Sequence, residues 1–231
     1  MTWVKICGTT NLEDARAAVE AGADALGFVF APSPRRISPK DAGRVTAQLP
    51  ATVERIGVFV NQKPAIILDT VQKAGLTGVQ LHGDEEDKQI VAISDALRSL
   101  RNGSEIKLIK VVAMRTIPTG ESFANHWLRG MEKRLDGFLL DSSSRGKRGG
   151  SGDPFDWQEA APAVRFLGER FKLVIAGGLN ATNVREAMKL FRPWGVDVVS
   201  GVELAPGKKD EAKLRAFIAA VCKADQEMKR L

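Results

Sequence analysis

The chain has 231 residues, 44% of them hydrophobic and 27% charged, a composition that supports a sizeable core and speaks against disorder. No apolar run approaches the roughly 20 residues needed to span a bilayer, and the N-terminus lacks the basic and then apolar pattern of a signal peptide, so a cytoplasmic chain without membrane association is expected. The net charge is +6, and residues 207–231 carry seven Lys or Arg against four acids; with aromatics at 6% and no tyrosine, this reads as a solvated face, not a nucleic-acid surface, and it suits an anionic small substrate.

Short β-branched or apolar runs alternate along the chain with amphipathic stretches of about a dozen residues, the pattern of a parallel α/β sheet. In chain order the strands are expected at 3–7, 25–30, 55–60, 77–81, 106–112, 137–141, 172–176 and 196–200. The clearest helices are expected at 11–21, 64–74, 85–100, 181–191 and 210–229. Asn11, Ser38 before Pro39, and Asn180 are suited to open helices, and Gly22 and Gly75 to close them. A repeat runs through the pattern: Ile6-Cys7-Gly8-Thr9-Thr10-Asn11 matches Ile175-Ala176-Gly177-Gly178-Leu179-Asn180, and both copies reach Gly-x-Asp at the next strand. Eight units in this length predict a single-domain (β/α)8 TIM barrel spanning 1–231. The competing fold, a doubly wound open sheet, lacks its dinucleotide fingerprint here, and no phosphate-binding GxxxxGK[ST] occurs.

In such a barrel the chemistry gathers where strands end. Cys7 ends the first strand and Asp141 the sixth, His82 follows the fourth, and Ser200 ends the expected eighth. A lone Cys7 reads equally as a small buried hydrophobe. Asp141, after Gly137-Phe138-Leu139-Leu140, is costly to bury without a partner; the Ser-, Arg- and Gly-rich run that follows is no helix, and it is expected to form a mobile loop, 142–155, over the barrel mouth. Shielding by that loop would suit Asp141 to general-acid work. Gly177-Gly178 and Ser200-Gly201 fall at the two turns where barrels commonly hold phosphate, although glycines there also serve tight turns. Arg35 and Arg36 are suited to fork onto a carboxylate, and His82 reads as a residue lining the site. Cys7 and Cys222 have no CxxC partner and there are only two histidines, which points away from a disulfide framework and from a thiolate or histidine-rich metal centre.

Taken in order, KICGTT, GFVFAPSPRRISP, VQLHG, LLDSSSRGKRGGSG, IAGGLN and DVVSGVE, from Lys5 to about Glu203, resemble the phosphoribosylanthranilate isomerase family of tryptophan biosynthesis. Ser151 stands where that family usually has threonine, Arg36 where it commonly has an aromatic residue and Val199 where it commonly has serine. The resemblance implies an Amadori rearrangement of N-(5-phosphoribosyl)anthranilate to 1-(2-carboxyphenylamino)-1-deoxyribulose 5-phosphate, with no metal or organic cofactor. It implies Asp141 as general acid, Cys7 as general base, Arg35 on the anthranilate carboxylate, and Gly177, Gly178, Ser200 and Gly201 around the phosphate. A thiol base needs its pKa lowered only modestly, and the loop arginines and lysines are expected to do this. A monomer and a homodimer are both compatible with the sequence.

Three other readings compete. A sister barrel isomerase acting on a histidine-pathway aminoaldose would carry aspartate in place of Cys7. A thiol hydrolase would use Cys7 as nucleophile and His82 as base, through a covalent acyl intermediate. A non-catalytic barrel that only binds a phosphorylated ligand would find Cys7 and Asp141 dispensable.

Overall fold

The run Trp3–Cys7 is buried at all five positions and forms the first strand, β1. In the computed structural model, which describes residues 1–100, 105–113, 131–142 and 157–229, seven further parallel strands follow it. They are β2 (Ala25–Val29), β3 (Glu54–Phe59), β4 (Gly78–Leu81), β5 (Lys107–Ala113), β6 (Gly137–Asp141), β7 (Leu173–Ala176) and β8 (Gly195–Val198). Each pairs with its sequence neighbour, and β8 closes onto β1 with Trp3 opposite Gly195 and Lys5 opposite Asp197. The result is the single-domain (β/α)8 barrel that the alternation predicted. Apart from Ser142, the expected loop 142–155 lies outside the described residues.

Among the described residues seven α-helices surround the barrel: α1 (Leu12–Ala21), α2 (Pro39–Thr46), α3 (Pro64–Ala74), α4 (Asp87–Arg98), α5 (Trp157–Gly168), α6 (Val184–Phe191) and α7 (Glu211–Met228). The caps follow local chemistry. Asn11 accepts the Asp14 N–H and Ser38 the Asp41 N–H, each satisfying a donor that the first helical turn leaves unpaired, while Gly22 and Gly75 end α1 and α3 in the left-handed conformation. Apolar side chains that point outward from the strands and inward from the helices make the main core. A smaller cluster, including Trp3, Ile56, Ile109, Leu139 and Val174, comes from alternate strand positions, which face the barrel axis.

Two local expectations are corrected. Asn180 does not open α6: its side chain takes the N–H and hydroxyl of Thr182 in a local turn, and the helix begins three residues later behind Asn183. The eighth strand stops at Val198, and Ser200 lies in a single 3-10 turn, Ser200–Val202. The turn packs closely against the loop after β7, since a side chain at Gly201 would meet the Leu179 carbonyl oxygen at 2.0 Å. Beyond this turn β9 (Glu203–Ala205) and β10 (Lys208–Lys209) form a small antiparallel ribbon that the sequence reading did not foresee.

Candidate active site

Strand alternation puts Trp3, Lys5 and Cys7 on one side of β1, toward the barrel axis. Room for the Cys7 thiol is made by a glycine on the next strand: a side chain at Gly27, opposite Cys7 in register, would meet Sγ at 2.5 Å. Beneath it, Lys5 Nζ donates to Asp197 Oδ1 at 2.9 Å, with the two side chains 0% and 5% exposed. Lys209 reaches in from β10 and donates to the Cys7 carbonyl oxygen at 2.5 Å. Burial pushes the Cys7 thiol above its ordinary value, Asp197 adds to the push, and Lys5 and Lys209 oppose it. Among the described residues the cations that oppose the rise are Lys5 from β1 and Lys209 from β10, and desolvation outweighs them; Arg145, Lys147 and Arg148, loop cations of the kind expected to lower the thiol, lie outside the described residues. For Lys5 the balance is reversed. Burial works against the ammonium, but the charges of Asp197 and Cys7 prevail and hold it above the usual lysine value.

Gly8 ends β1 with φ +78°, which already favours glycine. It is also the floor on which Arg35 lies, since a side chain at Gly8 would meet Arg35 Cδ at 2.6 Å. Arg35 is therefore next to Cys7, as expected of a site residue, but its guanidinium is already forked onto a protein carboxylate. Nε lies 2.9 and 3.1 Å from the two Glu203 oxygens, and Nη2 lies 2.7 Å from Oε2.

Across the mouth, β6 delivers Asp141 and β4 is followed by His82. Asp141 Oδ2 lies 3.8 Å from His82 Nε2, and the other ring nitrogen, Nδ1, lies 3.1 Å from the Gln80 side-chain nitrogen. Both nitrogens are thus directed at these partners, which lends no support to a Cys7–His82 nucleophile pair. Gly177 and Gly178 follow β7 with φ +92° and +67°. A side chain at Gly177 would strike Asp141 Oδ1 at 2.5 Å, whereas one at Gly178 would meet nothing within 4 Å. Gly177 is required by packing, and Gly178 faces open space.

Cys7, Arg35, His82, Asp141, Gly177, Gly178 and Ser200 all line one cavity of about 430 Å³ at the C-terminal end of the barrel, a size suited to a small-molecule ligand. Gly201 does not line it. Lys5, Asp197, Glu203 and Lys209 are charged groups at this site that the sequence reading missed. The available signal was a charge set within an apolar strand, Lys5 in Trp3-Val4-Lys5-Ile6-Cys7 and Asp197 in Val196-Asp197-Val198, on the two strands a closed barrel must join. A cavity of similar volume, about 440 Å³, lies toward the other end of the barrel; Arg98, Glu105, Glu132, Lys133, Arg134 and Asp136 line it, with no thiol and no glycine turn among its described lining residues.

The family model described as N-(5'-phosphoribosyl)anthranilate isomerase matches residues 4–220. The N-(5'-phosphoribosyl)anthranilate isomerase of Pelobacter propionicus is 44% identical over 219 residues, covering 94% of each chain. The crystal structure of phosphoribosyl anthranilate isomerase from Thermotoga maritima is 44% identical, superimposes with a TM-score of 0.77, and covers 96% of this chain and 100% of its own. A phosphoribosyl anthranilate isomerase solved in complex with reduced 1-(o-carboxyphenylamino)-1-deoxyribulose 5-phosphate is 42% identical, with a TM-score of 0.74 and the same coverage. On this extent and level of similarity, the chain belongs to the N-(5'-phosphoribosyl)anthranilate isomerase family of enzymes.

Proposed function

We propose that this enzyme converts N-(5'-phosphoribosyl)anthranilate to 1-(2-carboxyphenylamino)-1-deoxyribulose 5-phosphate, a step of tryptophan biosynthesis, by an Amadori rearrangement that uses Asp141 and Cys7. The observation that carries the proposal is the convergence of a carboxyl group, a thiol and a glycine turn on one cavity from β6, β1 and β7.

Asp141, in its acid form, donates a proton to the furanose ring oxygen while the bond from that oxygen to C1 breaks and the amine lone pair forms a C=N bond. The resulting cation acidifies the hydrogen on C2. Cys7, as thiolate, removes that proton, and the electron pair forms the C1=C2 bond while the nitrogen regains its lone pair. The enolamine then tautomerises to the ketone. Atoms and electrons balance without an external oxidant or reductant, and the proton gained by Cys7 equals the one lost by Asp141. The Lys5 ammonium beneath the thiol and the substrate cation above it both favour the thiolate, against the burial that raises its pKa.

In this reading Arg35 receives the anthranilate carboxylate, and Gly177, Gly178 and Ser200 form the phosphate turn, with Gly201 behind Ser200 against Leu179; Gly178, with open space before it, would offer the closest backbone approach. Every residue it uses lies on one chain, so monomer and homodimer are both compatible with it, and a cytoplasmic site of action belongs to the same proposal. Among the described residues no helix is long and apolar enough to cross a membrane.

The test is to add purified protein to N-(5'-phosphoribosyl)anthranilate and follow the loss of anthranilate fluorescence. Protein-dependent decay that is abolished in Asp141→Asn is the expected result. Decay no faster than the spontaneous rate would overturn the proposal.

A further inference from the structure

Glu203 stands at the start of the ribbon after β8, 168 residues from Arg35, and its side chain is only 4% exposed. A carboxylate so placed requires partners. It has Arg35 by Nε and Nη2, Lys209 Nζ at 3.1 Å, and the Gly207 N–H at 3.1 Å. Burial pushes its pKa up, but Arg35 and Lys209 prevail and hold it below the usual glutamate range. Formally, two cations share one carboxylate, so the cluster keeps one positive charge for an incoming anion.

The geometry adds direction to that charge. A guanidinium has one hydrogen on Nε and two on each Nη. Glu203 takes the edge formed by Nε and Nη2, and the edge formed by Nη1 and the second Nη2 hydrogen remains, with the spacing that matches a carboxylate's two oxygens. Gly8 beneath the Arg35 methylenes and Glu203 at its tip define the side chain at both ends.

We propose that Glu203 is a specificity-determining positioning residue: by fixing Arg35 it makes the enzyme select substrates whose aromatic amine carries a neighbouring carboxylate. The inference rests on the proposed function above, in which Arg35 meets that carboxylate. It goes further in assigning the selectivity to a residue that touches no substrate.

The test compares kcat/KM for N-(5'-phosphoribosyl)anthranilate with that for the corresponding aniline compound, which lacks the carboxylate, product being followed by chromatography. Glu203→Gln removes the charge and keeps the shape; the ratio of the two values is expected to fall about tenfold, chiefly through KM on the carboxylated substrate. Equal losses on both substrates, or an unchanged ratio, overturn the inference. In an Arg35→Ala background Glu203→Gln should lower the ratio no further; a further fall of the same size also overturns it. Should Glu203→Gln not fold, Glu203→Asp, which keeps the charge and withdraws the fork by one methylene, is expected to lower the ratio too, and an unchanged ratio there is equally fatal. Arg35→Ala alone separates the two levels. If it leaves the ratio intact, the proposed role of Arg35 fails; if it lowers the ratio while Glu203→Gln does not, only the role of Glu203 fails.

Discussion

Lys5 Nζ lies 2.9 Å from Asp197 Oδ1 across the seam where β8 closes the barrel onto β1, and neither side chain is more than 5% exposed. The pair sits directly below Cys7 in a barrel interior otherwise lined largely by apolar side chains. It therefore serves two ends at once, fastening the last strand to the first and setting the charge beneath the thiol.

Removing one member of this pair should be costly. Lys5→Met leaves Asp197 as an uncompensated buried carboxylate, and a loss of about 3–5 kcal/mol of stability is expected in urea unfolding at neutral pH. The double variant Lys5→Met with Asp197→Leu should recover most of that loss. A single variant as stable as the parent would show that the pair contributes nothing to closure.

The thiol should behave as a weak acid in the free enzyme. Burial raises the Cys7 pKa, so the thiolate fraction of the free enzyme should still be climbing with pH above neutrality. Alkylation of Cys7 by iodoacetamide, measured by mass spectrometry in a Cys222→Ser background, should follow the same rise. Alkylation already at its plateau at pH 7 would contradict it. Cys7→Ala should lose most turnover while staying folded, and full turnover in that variant would dismiss the thiol as the base.

Gly8→Ala should show a joint effect on fold and binding. The backbone there is left-handed, at a cost of about 1–2 kcal/mol for a residue with a side chain, and the new methyl group would occupy the place of Arg35 Cδ. A melting temperature lower by about 2–8 °C, together with a severalfold rise in KM, is expected. Thermal melts and steady-state kinetics check the two halves separately, and an unchanged KM would remove Arg35 from the binding role.

Glu85 makes an acid-labile clasp on the loop after β4. Its carboxylate is 1% exposed, lies 2.7 Å from Lys110 Nζ, and accepts the N–H groups of Asn61 and Gly83. Burial pushes its pKa up, but Lys110 and the Asn61 N–H prevail and leave it lowered. A carboxyl group with a folded pKa below its unfolded value, about 4.3 for glutamate, contributes stability that is complete above that pH and is lost as pH falls through the lowered value. Glu85→Gln should thus cost on the order of 3 kcal/mol at pH 7, since the buried Lys110 loses its carboxylate counter-charge. It should also flatten the decline of stability at acid pH. An acid limb identical to that of the parent in a pH series of melts would refute this.

Much of this molecule was legible in local pattern. Alternating apolar runs gave the strands to within a residue or two at most ends, because strand and helix periodicities are properties of consecutive residues. Asn11, Ser38, Gly22 and Gly75 marked helix ends through hydrogen bonds and backbone freedom that involve only a few neighbours. Cys7, Asp141 and the Gly177-Gly178 turn could be named because a barrel exposes the ends of its strands on one rim. Where two local chemistries compete, as at Asn180, pattern chose the wrong one.

The charged partners of the site were a matter for the tertiary structure. Arg35 meets Glu203, Lys5 meets Asp197 and Lys209 meets the Cys7 carbonyl over separations of 168, 192 and 202 residues. Those meetings depend on the register of β8 against β1 and on a ribbon folded back over the rim, neither of which periodicity encodes. The direction of the Cys7 shift was decided there too. Loop arginines and lysines are the cations a sequence offers for lowering a thiol, but among the described residues the balance is set by how completely the closed barrel excludes water and by which charges remain beside the sulfur once it has.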